Sequence, residues 1–257
     1  MKKKLLAGFA LGSFVLLMGQ PASALFINGG FEDGNDTGWT ITGDHAVVSS
    51  SFVPQYQVTA TALPSVPYYG NYSLQLGSSD IGYVAMDNSH TSSATQTGTI
   101  SQADVNNGLK LFVRWGAFLE EPTNGYHSDA NMPYFSIKLS GFDGSSWSQL
   151  YFKDQRANQS GFQNVGYSLP AANEGNIWYG TDLVQIDLAA LNLGFGDQVR
   201  IDLYVQDCLQ GGHGGLVFLD GIGTVQPIDN SVPEPATMLL MGTGLAGLIG
   251  LRRRKKA

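Results

Sequence analysis

The densest run of side chains able to do chemistry is Glu120-Glu121-Pro122-Thr123-Asn124-Gly125-Tyr126-His127-Ser128-Asp129. It brings carboxylates, an imidazole and an aromatic ring into one segment. Its Pro, Asn and Gly read as a loop, and loops carry binding and catalysis more often than cores do. Glu120, Glu121, His127 and Asp129 are therefore candidate ligand contacts. A glycosidase would need two such carboxyl groups roughly 5–10 Å apart across a sugar, a geometry no sequence can display. Sugars also stack on exposed aromatic rings. Tyr68, Tyr69, Trp147, Tyr151, Trp178 and Tyr179 are the candidates, with Trp147 and Trp178 foremost, although core burial competes for every large ring.

Other chemistry is missing. The four histidines, His45, His90, His127 and His213, show no pair at the spacing of a zinc-binding helix, and the single cysteine, Cys208, cannot build a thiolate site. There is no G-x-S-x-G elbow and no phosphate-cradling P-loop. Catalytic residues are not assigned. Thr91 to Thr99 is rich in Thr and Ser, but reads as short and irregular rather than as the flat array that ice binding needs.

The elements that must position these residues are strands. Thirty-three glycines and a low charged fraction of 14% suit strands joined by tight turns. Tyr134-Phe135-Ser136-Ile137-Lys138-Leu139 and Val199-Arg200-Ile201-Asp202-Leu203-Tyr204-Val205 alternate cleanly. Leu109 to Trp115 does so in part, Val184 to Leu188 is another alternating run, and Leu216 to Asp220 reads as a final strand. Turn signals such as Gly141-Phe142-Asp143-Gly144 stand between them. No long stretch of the body has a 3.6-residue apolar period, and the best short helix is Asp187 to Leu193. Residues 25–225 are therefore expected to form one all-β domain, an antiparallel β-sandwich, with long loops near 40–70 and 120–133.

The two ends read differently. Lys2-Lys3-Lys4, an uncharged apolar run from Leu5 to Met18, Pro21 and Ala22-Ser23-Ala24 are laid out as a secretory signal peptide (residues 1–24), with Ala22 and Ala24 as the small residues of the cleavage site. At the other end a short linker, 226–231, leads to Val232-Pro233-Glu234-Pro235. An apolar run over 236–251 follows, then Arg252-Arg253-Arg254-Lys255-Lys256. At about 1.5 Å per residue that run spans roughly 24 Å, short for a bilayer core of about 30 Å. The terminal cations would stay cytoplasmic. Residues 232–257 resemble the PEP-CTERM sorting signal of Gram-negative bacteria. The resemblance implies export across the inner membrane, signal peptidase and exosortase as processing partners, and recognition at Pro233, Glu234 and Pro235. It further implies a membrane-inserted precursor that passes through a transmembrane helix to the cell surface or beyond. Members of that family often accompany exopolysaccharide production.

Eight of the 14 basic residues lie in the two ends, whereas almost all of the 21 acidic ones lie in the body. The exported part is strongly acidic, which excludes nucleic acid as a partner and opposes anionic surfaces generally.

The body opens on Asn28-Gly29-Gly30-Phe31-Glu32 with Gly34 and Gly38-Trp39, continues through Gly70-Asn71-Tyr72-Ser73-Leu74-Gln75-Leu76 and closes on Val217-Phe218-Leu219-Asp220-Gly221-Ile222. That pattern resembles the galactose-binding-like jelly roll used by many carbohydrate-binding modules. The resemblance implies a structural calcium ion between the first and last strands, with Glu32 and Asp220 at the matching positions. Calcium is the only cofactor these residues suggest. The leading expectation is an exported, non-catalytic surface or matrix protein that binds carbohydrate. A purely structural or adhesive surface protein is the alternative, followed by a secreted glycoside hydrolase and an ice-binding protein.

Overall fold

The computed structural model describes residues 25–49, 69–77, 91–122, 128–157, 159–167, 175–208 and 213–226. The expected signal peptide with Ala22 and Ala24, the expected sorting tail with Pro233, Glu234 and Pro235, and the apolar run 236–251 lie outside them. Among the described residues no helix is long and apolar enough to cross a membrane.

Among the described residues eleven strands form two sheets, and every pairing is antiparallel. They are β1 (Thr40–Thr42), β2 (His45–Ser49), β3 (Tyr72–Leu76), β4 (Thr91–Thr99), β5 (Lys110–Pro122), β6 (Tyr134–Phe142), β7 (Trp147–Arg156), β8 (Gln163–Tyr167), β9 (Gly175–Asp187), β10 (Gln198–Gln206) and β11 (Gly215–Gly223). The five-stranded sheet runs β1-β4-β10-β6-β7, the six-stranded one β2-β3-β11-β5-β9-β8. The expected antiparallel β-sandwich is what the chain forms.

Side-chain alternation explains the layers. In β10, Val199, Ile201, Leu203 and Val205 are buried while the residues between them are half-exposed. Phe135, Ile137 and Leu139 of β6 do the same. Opposite them stand Leu111, Val113, Trp115, Ala117 and Leu119 of β5 with Val217 and Leu219 of β11, and together these fill the space between the sheets. Trp115 anchors that core, its ring 5.1 Å from Phe135 and 6.4 Å from Phe162. β5 and β11 alternate poorly in sequence for a physical reason: both of their faces are buried. Phe118, Phe218, Leu216, Ile177 and Val48 make a second apolar cluster on the far side of the six-stranded sheet.

The expected helix over Asp187 to Leu193 is instead the end of β9 followed by a single 3-10 turn, Ala189–Leu191. Asn192, in the left-handed conformation at φ 59°, ends it ahead of Gly194. Among the described residues the α-helix is α1 (Gln102–Asn106), which connects the two sheets. It is closed by a capping box in which Ser101 and Asp104 serve each other's backbone amides. The buried Asp104 carboxylate also accepts the Thr224 hydroxyl, tying the helix to the end of β11.

Candidate functional site: the outer face of the five-stranded sheet

Residues that alternate with the core on β4, β10, β6 and β7 project from the other side of the five-stranded sheet. In register across the strands, Arg200 stands between Thr97 and Ser140, Asp202 between Thr95 and Lys138, and Tyr204 between Ser93 and Ser136. On β7, Trp147 lies opposite Phe142, Phe152 opposite Lys138 and Arg156 opposite Tyr134. A bulge at Leu150 shifts the register of β7, so that Leu150 and Tyr151 both pack on the core. Trp147 and Phe152 are thereby left outside, 43% and 46% exposed.

The β6–β7 turn delivers Trp147 to this face. Asp143 Oδ1 accepts hydrogen bonds from the Ser145 hydroxyl and amide and from the Ser146 amide. These donors, the Ser145 hydroxyl foremost, hold its carboxyl down to about 2. Gly144 takes the turn's positive φ of 88°.

Two aromatic groups frame the platform. At one end Trp147 lies 5.3 Å from Phe142, and the Arg200 guanidinium sits 5.1 Å over the indole. At the other, Tyr134 lies 6.1 Å from Tyr204 with Arg156 4.8 Å over its ring. From Phe142 back to Tyr134 is eight residues of strand, about 26 Å at roughly 3.3 Å per residue. Phe152 stands between. The polar groups are held in place: Arg200 Nε donates to Asp202 Oδ2 at 2.9 Å, and the Thr95 hydroxyl donates to Asp202 Oδ1 at 2.9 Å. Burial pushes the Tyr134 and Tyr204 phenols above their ordinary value, so both stay neutral donors at physiological pH. A sheet face with two exposed and three half-buried rings, and with fixed hydrogen-bonding groups among them, can stack and orient a polyhydroxylated ligand.

Among the described residues that the sequence offered as ligand or stacking contacts, Trp147 lies on this platform. The expected loop at 120–129 breaks up, because Glu120 and Glu121 belong to β5. As neighbours in a strand they point to opposite faces, so they cannot flank one sugar. Glu120 is fully buried on the side of the second apolar cluster, where it accepts the Gly214 amide at 3.0 Å. Glu121 Oε2 accepts Trp178 Nε1 at 2.8 Å and Asn176 Nδ2 at 3.0 Å, locking the Trp178 indole against the main core. His127 and Tyr68 lie outside the described residues. Asp129 opens a 3-10 turn, and its side chain is not among the described groups. Cys208 is buried, its Sγ 3.5 Å from Nδ1 of the buried His213.

Glu32 and Asp220, the positions that the jelly-roll resemblance assigns to a calcium ion, both accept hydrogen bonds from one short segment. Glu32 accepts from the Asn71 amide (2.9 and 3.0 Å), the Asn71 side chain (3.0 Å) and the Tyr72 amide (3.2 Å), while Asp220 Oδ2 accepts the Tyr69 amide at 2.6 Å. Gly70 between them has φ 64°, and any Cβ there would strike Glu32. Calcium asks for six to eight oxygens. N–H donors aimed at both Glu32 oxygens do not fit a cation, and among the described residues no group of three or more His, Cys, Asp or Glu could hold a metal. Glu32 therefore acts as a staple. Glu32→Ala should lower the melting temperature of the protein while EDTA leaves it unchanged; a drop on EDTA treatment in a thermal scan would restore the calcium assignment.

The signals for the missed platform residues were weak. Phe142 sits in a turn-like Gly-Phe-Asp-Gly, and the β7 bulge erases the alternation around Phe152. Tyr134, Tyr204, Arg200 and Lys138 are simply the residues skipped between core positions.

Comparison with known proteins places the tail. Residues 231–255 match the PEP-CTERM protein-sorting motif. The match makes the chain an exported protein sorted to the cell surface. No curated protein matches the sequence as a whole. Among solved structures the chain is similar to a carbohydrate-binding module of the β-sandwich superfamily (12% identity, TM-score 0.34), covering 75% of this chain and 59% of that one. It is also similar to CBM28, a module specific for non-crystalline cellulose (14% identity, TM-score 0.35, covering 77% of this chain and 92% of that one). A third is Caldicellulosiruptor saccharolyticus CBM27-1, solved with mannohexaose (12% identity, TM-score 0.36, covering 77% and 93%).

Proposed function

We propose that this PEP-CTERM protein is a non-catalytic, polysaccharide-binding component of the cell surface, and that it binds through the outer face of its five-stranded sheet. The observation that carries the reading is the pair of exposed rings, Trp147 and Phe152, on one face with Tyr134, Phe142 and Tyr204. Several apolar rings gathered on one exposed face suit a contact surface. The two carboxylates that could have served a hydrolase, Glu120 and Glu121, are turned to opposite faces and engaged in structural hydrogen bonds. Signal peptidase removes residues 1–24, and an exosortase acts near Pro233-Glu234-Pro235 while the apolar tail holds the precursor in the inner membrane. The exported body then faces the exopolysaccharide outside.

The test is binding of the full-length protein, solubilised from membranes, to an array of bacterial and plant polysaccharides. Retention by at least one glycan class is expected. Absence of binding to every glycan would leave the structural or adhesive reading in its place.

A further inference from the structure

Between its two terminal signals the chain keeps six basic side chains: Lys110, Arg114, Lys138, Lys153, Arg156 and Arg200. Three of them, Lys138, Arg156 and Arg200, project from the platform. Its rows on β10, β6 and β7 carry two carboxylates, Asp154 and Asp202. Cations thus outnumber anions there, the reverse of a chain with 14 basic and 21 acidic residues.

Their placement is specific. Arg200 and Arg156 each lie over an aromatic ring that frames the face. Each uses part of its fork internally, Arg200 Nε on Asp202 and Arg156 Nη1 on the Ala130 and Met132 carbonyls. A guanidinium has five N–H donors, so both retain donors for a ligand. Lys138 lies midway, half-buried between Asp202 on β10 and Phe152 on β7, with no ion pair or hydrogen bond to any described residue. A neutral glycan has no use for three cations interleaved with its stacking rings. A polymer bearing a carboxylate on its sugar rings does: the ring faces stack on Trp147 and Phe152 while carboxylates reach Lys138 and the two guanidiniums.

We propose that the platform takes an acidic, uronate-type polysaccharide, with Lys138 as the residue that selects it. This rests on the polysaccharide-binding reading above. The acidity of the rest of the body does not forbid it, because at physiological salt charges more than about 8 Å away are largely screened, and the contact is decided by groups on the face itself.

The experiment compares polygalacturonate with the same polymer after its carboxyl groups are reduced to alcohols. Affinity electrophoresis of the full-length protein is run on both, with wild type, Lys138→Gln, Lys138→Arg and Trp147→Ala. Binding to the polyuronate, its loss on carboxyl reduction, a roughly tenfold weakening in Lys138→Gln and recovery in Lys138→Arg are expected, with circular dichroism spectra unchanged. Equal binding to the two polymers, or a Lys138→Gln variant that binds polyuronate like wild type, overturns the inference. If only the reduced polymer binds, and binding depends on Trp147, the platform stands and its acidic selectivity falls. If neither polymer nor any glycan of the array binds, both fall.

Discussion

Trp147→Ala should weaken polysaccharide binding by about 30-fold while shifting the melting temperature by no more than a few degrees. The two halves of this expectation come from the same geometry. The indole is 43% exposed and stands on the strand at the sheet edge. Its partners, the Phe142 ring and the Arg200 guanidinium, are themselves on the surface. Removing it opens no cavity between the sheets, and surface substitutions of this kind move stability little. Binding is another matter. A tryptophan that acts as an anchor of a contact surface is worth about 2 kcal/mol or more on truncation, which is roughly 30-fold in affinity. Trp147→Phe keeps a ring and should recover much of the loss. The pair of measurements, affinity electrophoresis and a thermal scan on each variant, separates contact from fold. Unchanged affinity in Trp147→Ala would remove the platform as the binding surface.

How far the sequence could lead to that residue depended on where packing enters. Signals read in linear order are complete in the sequence: the export and sorting ends need no partner to be recognised. β6 and β10 were legible because one face of each meets the core and the other water, so period two survives in the residue types. β5 and β11 were less so, since the second apolar cluster buries their outer faces as well. β7 was obscured by its own bulge, which places Leu150, Tyr151 and Phe152 in succession without sending them to alternate faces. Thr91 to Thr99 seemed irregular only while it was read residue by residue. As β4 it sorts into Ser92, Ala94, Gln96 and Gly98 inside and a row of Thr and Ser outside. Ser101-x-x-Asp104 was a readable helix-start signal that marks α1.

The candidate site was the least legible part, because it depends on which of two similar side chains is turned outward. Trp147 and Trp178 look alike in sequence. Trp178 has Glu121, two residues along the partner strand from its opposite residue Leu119, to accept its indole N–H, and so lies against the core. Trp147 follows a turn on an edge strand, with no acceptor among the described residues to draw it in. Glu120 misleads for a related reason. A glutamate is rarely buried without a partner, and its partner is a backbone amide 94 residues away, supplied by the connection into β11.

Phe218→Ala tests the complementary half of the assignment, that the six-stranded sheet does not present its outer face to a ligand. Phe218 is fully buried on that face, edge-on to Phe118 at 6.0 Å and 90°, with Tyr179 4.7 Å from Phe118 on the other side. Truncating a buried phenylalanine costs about 3–5 kcal/mol through lost transfer energy and the cavity left behind. For a domain of this size that corresponds to a fall of about 10 °C or more in melting temperature. Below its own transition the variant should bind polysaccharide as wild type does, the reverse of Trp147→Ala. A sheet face that worked as an open sugar-binding groove would show the opposite pattern, since a ring kept in water for a ligand contributes affinity and little stability. A Phe218→Ala protein that melts like wild type and has lost its ligand would therefore move the binding surface from the five-stranded sheet to the six-stranded one.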